Sequence, residues 1–233
     1  MEVSESCNEF FEYLEDWLSC LRTIPLSEVA PDPQKAAVLS QDMIKGFCTI
    51  GPLASPRINE IAGNIANFLK LSWNYGIHDI LLFQDAHEPD AIEFDAYPPH
   101  CVRGTEEAEV VDEITSLPFY HEMQVFEKNS ISSGIQTGFN EWLTNHPNID
   151  TFIIIGDCTD ICIYQLAMHL RVSANASQIF RKIIVPANLV QTYDRPLSTA
   201  GEEGGFPHPG DLMQDIFLYH MALNAVEVVL DIE

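Results

Sequence analysis

Positive charge is scarce in this chain: 11 Lys and Arg stand against 35 Asp and Glu, a formal net charge of −24 over 233 residues. Binding phosphates calls for a cationic surface that displaces counterions, so nucleic acid is excluded as a partner, and anionic membrane surfaces repel the chain for the same reason. Long apolar runs are lacking too, since no stretch approaches the roughly twenty residues that a membrane-crossing helix needs. The opening "MEVSESCNEFFEYLEDW" has neither the basic nor the apolar region of a secretory leader. The six cysteines, Cys7, Cys20, Cys48, Cys101, Cys158 and Cys162, are therefore expected to stay reduced in the cytoplasm rather than pair as disulfides. Internal repeats and low-complexity tracts are also missing.

What is there is an ordinary globular composition, 46% hydrophobic and 20% charged, with enough apolar material for one sizeable core. "SCNEFFEYLEDWLSCLRTIP" reads as a helix with Ser6 and Glu9 at capping-box spacing, an apolar stripe of Phe10, Leu14, Trp17, Leu18 and Leu21, and Pro25 as its stop. "SEVAPDPQ" follows as a linker, so residues 1–35 are set apart from a main domain at 36–233. Apolar runs then alternate with helical stretches: "AAVLSQ", a helix over 59–75, "DILLFQ", "MQVFE", a helix over 134–145, "TFIIIG", a helix from about 160, "KIIVPA", and a last helix from about Asp211 leading to "AVEVVLDI". Near-continuous apolar strands alternating with helices predict an α/β three-layer sandwich, with a mostly parallel central sheet and helices on both faces.

Open parallel sheets bind ligands beyond the carboxyl ends of their strands. The first ionisable residues after four of the predicted strands are Asp42, Asp85, Lys128 and Asp157, the last just ahead of Cys158 and Cys162 in "GDCTDICIY". Thr159 is placed to cap the following helix, whose buried face is Ile163, Leu166, Ala167 and Leu170, so Cys162 falls in the first turn. Unpaired backbone N–H groups there are expected to lower its pKa and favour the thiolate. A structural zinc site is weakly supported, because it needs four ligands and the C-x3-C spacing has no second ligand pair. An inert buried cysteine is the ordinary reading of either thiol alone; the carboxylate of Asp42 and the ammonium of Lys128 at the same rim favour a nucleophile at Cys162.

"QDAHEPDAIEFDAYPPHCVRGT" sets Asp85 and His87 two apart, with His100 after a Pro-Pro turn. One carboxylate and two imidazoles make a mixed N/O set that zinc, iron or manganese accepts with positions left open, although a solvated polar loop competes with that reading. Glu93 could be a further ligand, with Glu88, Asp90 and Asp95 competing for that place and none of them chosen. His208 in "GGFPHPGDLM" could line the site, although part of a helix-entry loop is the favoured reading, and His78, His121, His146, His169 and His220 read as surface or helix residues.

From about Ala36 to Val229 these pieces together resemble the isochorismatase-like cysteine hydrolases, and among them the nicotinamidases of plant type. "DMIKGFCTIG", "DAH" with "YPPHCVRGT", "FEKNSISSG", "GDCTDICIY" and "HPGDLM" carry the likeness in that order. The resemblance implies a catalytic triad of Asp42, Lys128 and Cys162, and an oxyanion hole from the backbone N–H groups of Cys158 and Cys162. It implies a cis peptide at Asp157–Cys158, a divalent metal on Asp85, His87 and His100 with zinc first and manganese or iron as alternatives, and Phe47 and Tyr97 flanking a pyridine ring. The implied reaction is hydrolysis of nicotinamide to nicotinate and ammonia through a cysteine thioester, a step of cytoplasmic NAD salvage. Another small amide, carbamoyl or ureido substrate is the alternative, and a non-catalytic scaffold the second. Whether the chain forms a homo-oligomer stays open. Ser40, Gln41, Tyr97 and Asp157 depart from the family's pattern, and a carboxylate at Asp157 would raise the neighbouring thiol's pKa if it pointed inward.

Overall fold

Every side chain of Ala36–Gln41 and of Thr151–Asp157 is buried. A strand in that position needs hydrogen-bonded neighbours on both edges and helices over both faces. The computed structural model describes residues 5–203 and 206–233 and supplies both. Its strands are β1 (Thr23–Ile24), β2 (Ala36–Gln41), β3 (Asp79–Asp85), β4 (Gln124–Lys128), β5 (Thr151–Asp157), β6 (Lys182–Pro186), β7 (Val190–Gln191), β8 (Glu227–Val229) and β9 (Asp231–Ile232). The main sheet runs β4-β3-β2-β5-β6-β8, with β7 also pairing with β5, and every pairing in it is parallel.

Alternation along each strand divides the core into two layers. Val38, Ile80, Leu82, Ile153 and Ile155 face the layer that holds Ile58, Ile65 and Leu69 of a helix at Pro56–Tyr75, while Leu39, Leu81, Phe83, Phe152 and Ile154 face the opposite one. That second layer is closed by Phe139–Asn145, Tyr164–Ser177 and Gly210–Leu223. Fully burying one such Leu, Ile or Phe contributes about 1.5–3 kcal/mol. The expected α/β sandwich is therefore the fold.

The amino-terminal helix spans Glu5–Ser19 and stops well before Pro25. Phe10, Tyr13 and Trp17 meet Tyr219 edge-on at 5.4–5.9 Å between ring centroids, whereas the side chain of Ser6, read as a cap, lies outside the described residues. The segment read as a linker has structure. β1 pairs in parallel with β9, a short helix covers Leu26–Val29, and Ile24, Leu26, Val29 and Ala30 are buried in the first core layer. Their apolar side chains outweigh the loop signal of the nearby prolines.

Candidate active site

Asp42 is the residue at which the chain leaves β2. Its backbone adopts the left-handed region, φ 54°, at a cost of about 1–2 kcal/mol for a residue with a Cβ. Hydrogen bonds hold it there: its N–H donates to the Phe83 carbonyl at 2.8 Å, and Oδ1 accepts the Asp85 N–H at 3.0 Å. Oδ2 accepts from Gln41 Nε2 at 2.7 Å, and Gln41 Oε1 in turn accepts from Ser133 Oγ at 2.6 Å. Gln41 is the polar departure noted at the end of an apolar strand, and the structure turns it into the buried support of the carboxylate.

Lys128 ends β4 with its side chain buried. Its Nζ lies 2.9 Å from Asp42 Oδ2, donates to Asp85 Oδ1, and approaches Cys162 Sγ at 3.8 Å. One ammonium thus touches both carboxylates and the thiol. Burial works against its charge, but Asp42 and Asp85 outweigh burial and hold it well above the usual lysine value. Burial raises Asp42 to about 6, with Asp85 adding to the rise and Lys128 opposing it.

Cys162 corrects an expectation. The helix opens not with a capped α-turn but with a wide π-turn over Thr159–Ile163, before the regular turns of Tyr164–Ser177. Thr159 does not cap it; its Oγ1 donates to Gln214 Oε1 at 2.5 Å. Instead of being lowered, the Cys162 thiol is pushed well up by burial, and Lys128 only partly counters this. The resting group is a neutral thiol beside a carboxylate that is ionised above about pH 6.

The Asp157–Cys158 peptide is cis. Asp157 points inward: its Oδ1 accepts from Cys158 Sγ at 3.6 Å, while Oδ2 is buried with no hydrogen bond among the described residues. Burial drives its carboxyl far above the ordinary range, and Cys158 is raised by burial and by Asp157.

Asp85, His87 and His100 present ligand atoms that all lie within 4.8 Å of one another, every residue buried. Asn129 Oδ1 accepts the Glu88 N–H at 3.0 Å and faces His87 Nδ1 at 3.3 Å, so that nitrogen carries the proton. The Pro98 carbonyl at 2.8 Å fixes His100 in the same tautomer. Both Nε2 lone pairs point away from these bonds, and His87 Nε2 is buried with no hydrogen bond among the described residues, 3.5 Å from Asp85 Oδ2. Three aimed donors with their outer nitrogens tied down fit a divalent metal. Of the four acidic contenders, Glu93 comes near, 3.9 Å from His87 Nε2.

Phe47 and Tyr97 stand at 5.7 and 6.2 Å from the His100 ring, and Phe94, which sequence reasoning passed over, at 5.6 Å. His208 is not a plain loop residue either, being buried and bonded to Asp160. Two surface depressions, of about 430 and 480 Å³, lie elsewhere, against Lys45 and against Asn188, and gather none of these groups.

The signature of the isochorismatase domain matches residues 36–174. Nicotinamidase 1 of Arabidopsis thaliana is 28% identical over 227 residues, covering 89% of this chain and 92% of that protein. Among solved structures, a cysteine hydrolase from Pseudomonas syringae pv. phaseolicola superposes with a TM-score of 0.70 at 20% identity, over 85% of this chain and 89% of the other. A pyrazinamidase of Pyrococcus horikoshii in complex with zinc gives 0.64 at 19% identity, over 84% and 98%.

Proposed function

From a chain that belongs to the isochorismatase family of hydrolases, we propose an amidase that hydrolyses nicotinamide to nicotinate and ammonia, with Cys162 as nucleophile. The observation that carries this reading is Lys128 Nζ, in contact with Asp42, Asp85 and Cys162 at once. The likeness to the Arabidopsis nicotinamidase favours a pyridine carboxamide over carbamoyl substrates, and so does the buried Asp85–His87–His100 group. The same proposal places the protein in cytoplasmic NAD salvage.

Asp42 takes the Sγ proton as sulfur bonds to the carboxamide carbon, and Lys128 stabilises the charge that passes through the thiolate. The backbone N–H groups of Cys158 and Cys162 receive the oxyanion; removing one such donor costs about 3 kcal/mol of barrier. Asp42 then returns the proton to nitrogen, the C–N bond breaks, and ammonia leaves a thioester on Cys162. A water that Asp42 deprotonates attacks that thioester, releasing nicotinate and restoring the thiol. Asp85, His87 and His100 would hold a divalent metal, zinc first, which supplies a Lewis acid for the ring nitrogen. Phe47 and Tyr97 flank the ring, and holding the substrate at this end, remote from the reacting carbon, orients the carboxamide for attack and removes much of the entropic barrier.

Ammonia release tests the reading. Wild type is expected to turn nicotinamide over, Cys162→Ala to be inactive, and Asp85→Ala to bind substrate weakly and to lose its metal in elemental analysis. An active Cys162→Ala protein overturns the assignment, and wild type active on a ureido compound but not on nicotinamide moves the substrate to another amide class.

A further inference from the structure

Asp160 sits midway between Cys158 and Cys162 and has no part in the reaction as written. Its side chain is nevertheless buried, at 4% exposure, and a buried carboxylate is costly unless paired. Oδ1 accepts from Thr192 Oγ1 at 2.5 Å and Oδ2 from His208 Nε2 at 2.8 Å. His208 Nδ1 is 2.9 Å from the Tyr193 carbonyl, which can only accept. With a carbonyl at one nitrogen and a carboxylate at the other, both ring nitrogens donate, and the ring is an imidazolium. It stacks on Tyr193 at 3.8 Å between centroids and 10° between planes.

His208 is itself held in place. Its backbone pairs with Arg195 in both directions, at 2.7 and 2.9 Å, and Asp194 Oδ1 accepts the Gly210 N–H at 2.8 Å. On the other flank of the same turn, Thr159 Oγ1 donates to Gln214, whose Nε2 donates to the Val190 carbonyl at 3.0 Å. The π-turn that presents Cys162 is therefore fastened by residues from 190–214, while Asp42 and Lys128 approach from β2 and β4.

We propose that Asp160 and His208, assisted by Thr192, form a clamp that sets the position of the thiol turn, making His208 a positioning residue for attack by Cys162. The proposal rests on the amidase reading for its kinetic consequence. The physical reason is the tolerance of such sites, where a displacement of about 1 Å costs about a hundredfold in rate. The two N–H groups assigned to the oxyanion, those of Cys158 and Cys162, flank Asp160 in sequence, so loosening its carboxylate displaces nucleophile and oxyanion donors together. Phe47 and Tyr97, which flank the substrate ring in the amidase reading, lie on other segments of the chain.

His208→Ala is expected to lower kcat for nicotinamide roughly tenfold to a hundredfold, the range for losing a hydrogen bond to a charged group. KM should remain within about twofold, because ground-state binding is untouched. Added imidazole fills the vacated space and restores most of kcat. Amide hydrogen exchange over residues 158–163 speeds up in the variant and slows again with imidazole, while β2 and β3 keep wild-type protection. His208→Gln, which keeps a donor for Asp160 without charge or ring, shows the same pattern at smaller amplitude and serves if the alanine variant does not fold. Wild-type kcat and wild-type exchange in either folded variant overturn the clamp. So does a uniform rise in exchange across the sheet without imidazole rescue, which marks general destabilisation. Should wild type leave nicotinamide untouched, the amidase reading fails, and the exchange measurements alone still decide the clamp.

Discussion

Asp42 serves as base only as a carboxylate, and burial raises its pKa to about 6. kcat/KM for the amide is therefore expected to fall as pH drops through about 6 and to level off above it, in a pH–rate profile. Asp42→Asn removes that limb and lowers kcat by about 10²–10⁴, the usual worth of a positioned base. For Asp157 the consequence is one of stability. Its folded pKa lies far above the unfolded value of 3.8 because of burial. The contribution it makes to stability is thus present below the unfolded pKa and is lost as pH rises toward the folded one. Asp157→Asn removes this dependence, so its melting temperature is expected to exceed wild type at pH 7.5 and to match it near pH 4. The gap grows by about 1.4 kcal/mol for each pH unit crossed. Equal shifts at both pH values would mean that Asp157 ionises freely in the folded protein.

At the level of elements, the ends of strands were easier to read than the turns between them. Asp42, Asp85, Lys128 and Asp157 are legible because each follows an apolar run, with Cys162 just behind the last of them, and the structure brings the side chains of Asp42, Asp85, Lys128 and Cys162 to one rim. The helix expected over 134–145 shrinks to Phe139–Asn145, since Gly138 at φ 86° starts it late and Ser133 is drawn into the Gln41 bond. The π-turn of Cys162 left no periodic trace, because one wide turn hardly disturbs the spacing of Leu166, Ala167 and Leu170. Long-range partners were invisible for a simpler reason. Nothing local pairs His208 with Asp160, 48 residues away, or Asn129 with His87, 42 away. Gly156 joins the two levels. At φ 113° it lies against the backbone of Gln41, and an added Cβ would collide with that carbonyl. Gly156→Ala is expected to cost about 2 kcal/mol or more in chemical denaturation, from strain and forced separation of β2 and β5. A wild-type midpoint would show that the two strand ends are not tightly apposed.

Across the whole molecule, the strand order does what no stretch of sequence states. β4, β3, β2 and β5 are consecutive in the sheet, so residues spread from position 42 to position 162 share one edge. The chain's charge of −24 acts on the same scale. A neutral amide is not steered by that field, but an anionic carboxylate product is repelled, and salt screens the repulsion beyond about 10 Å at 0.1 M. Raising ionic strength should leave kcat/KM for nicotinamide nearly unchanged while strengthening inhibition by nicotinate; a parallel rise in both would point to a salt effect on the fold. The chemistry itself is tested most directly by acid-quenching the protein during turnover of nicotinamide and measuring peptide masses. A nicotinoyl thioester on the peptide at Cys162, absent from Cys162→Ala, is the predicted result; ammonia released with no acyl group on Cys162, or with the group on Cys158, would contradict it.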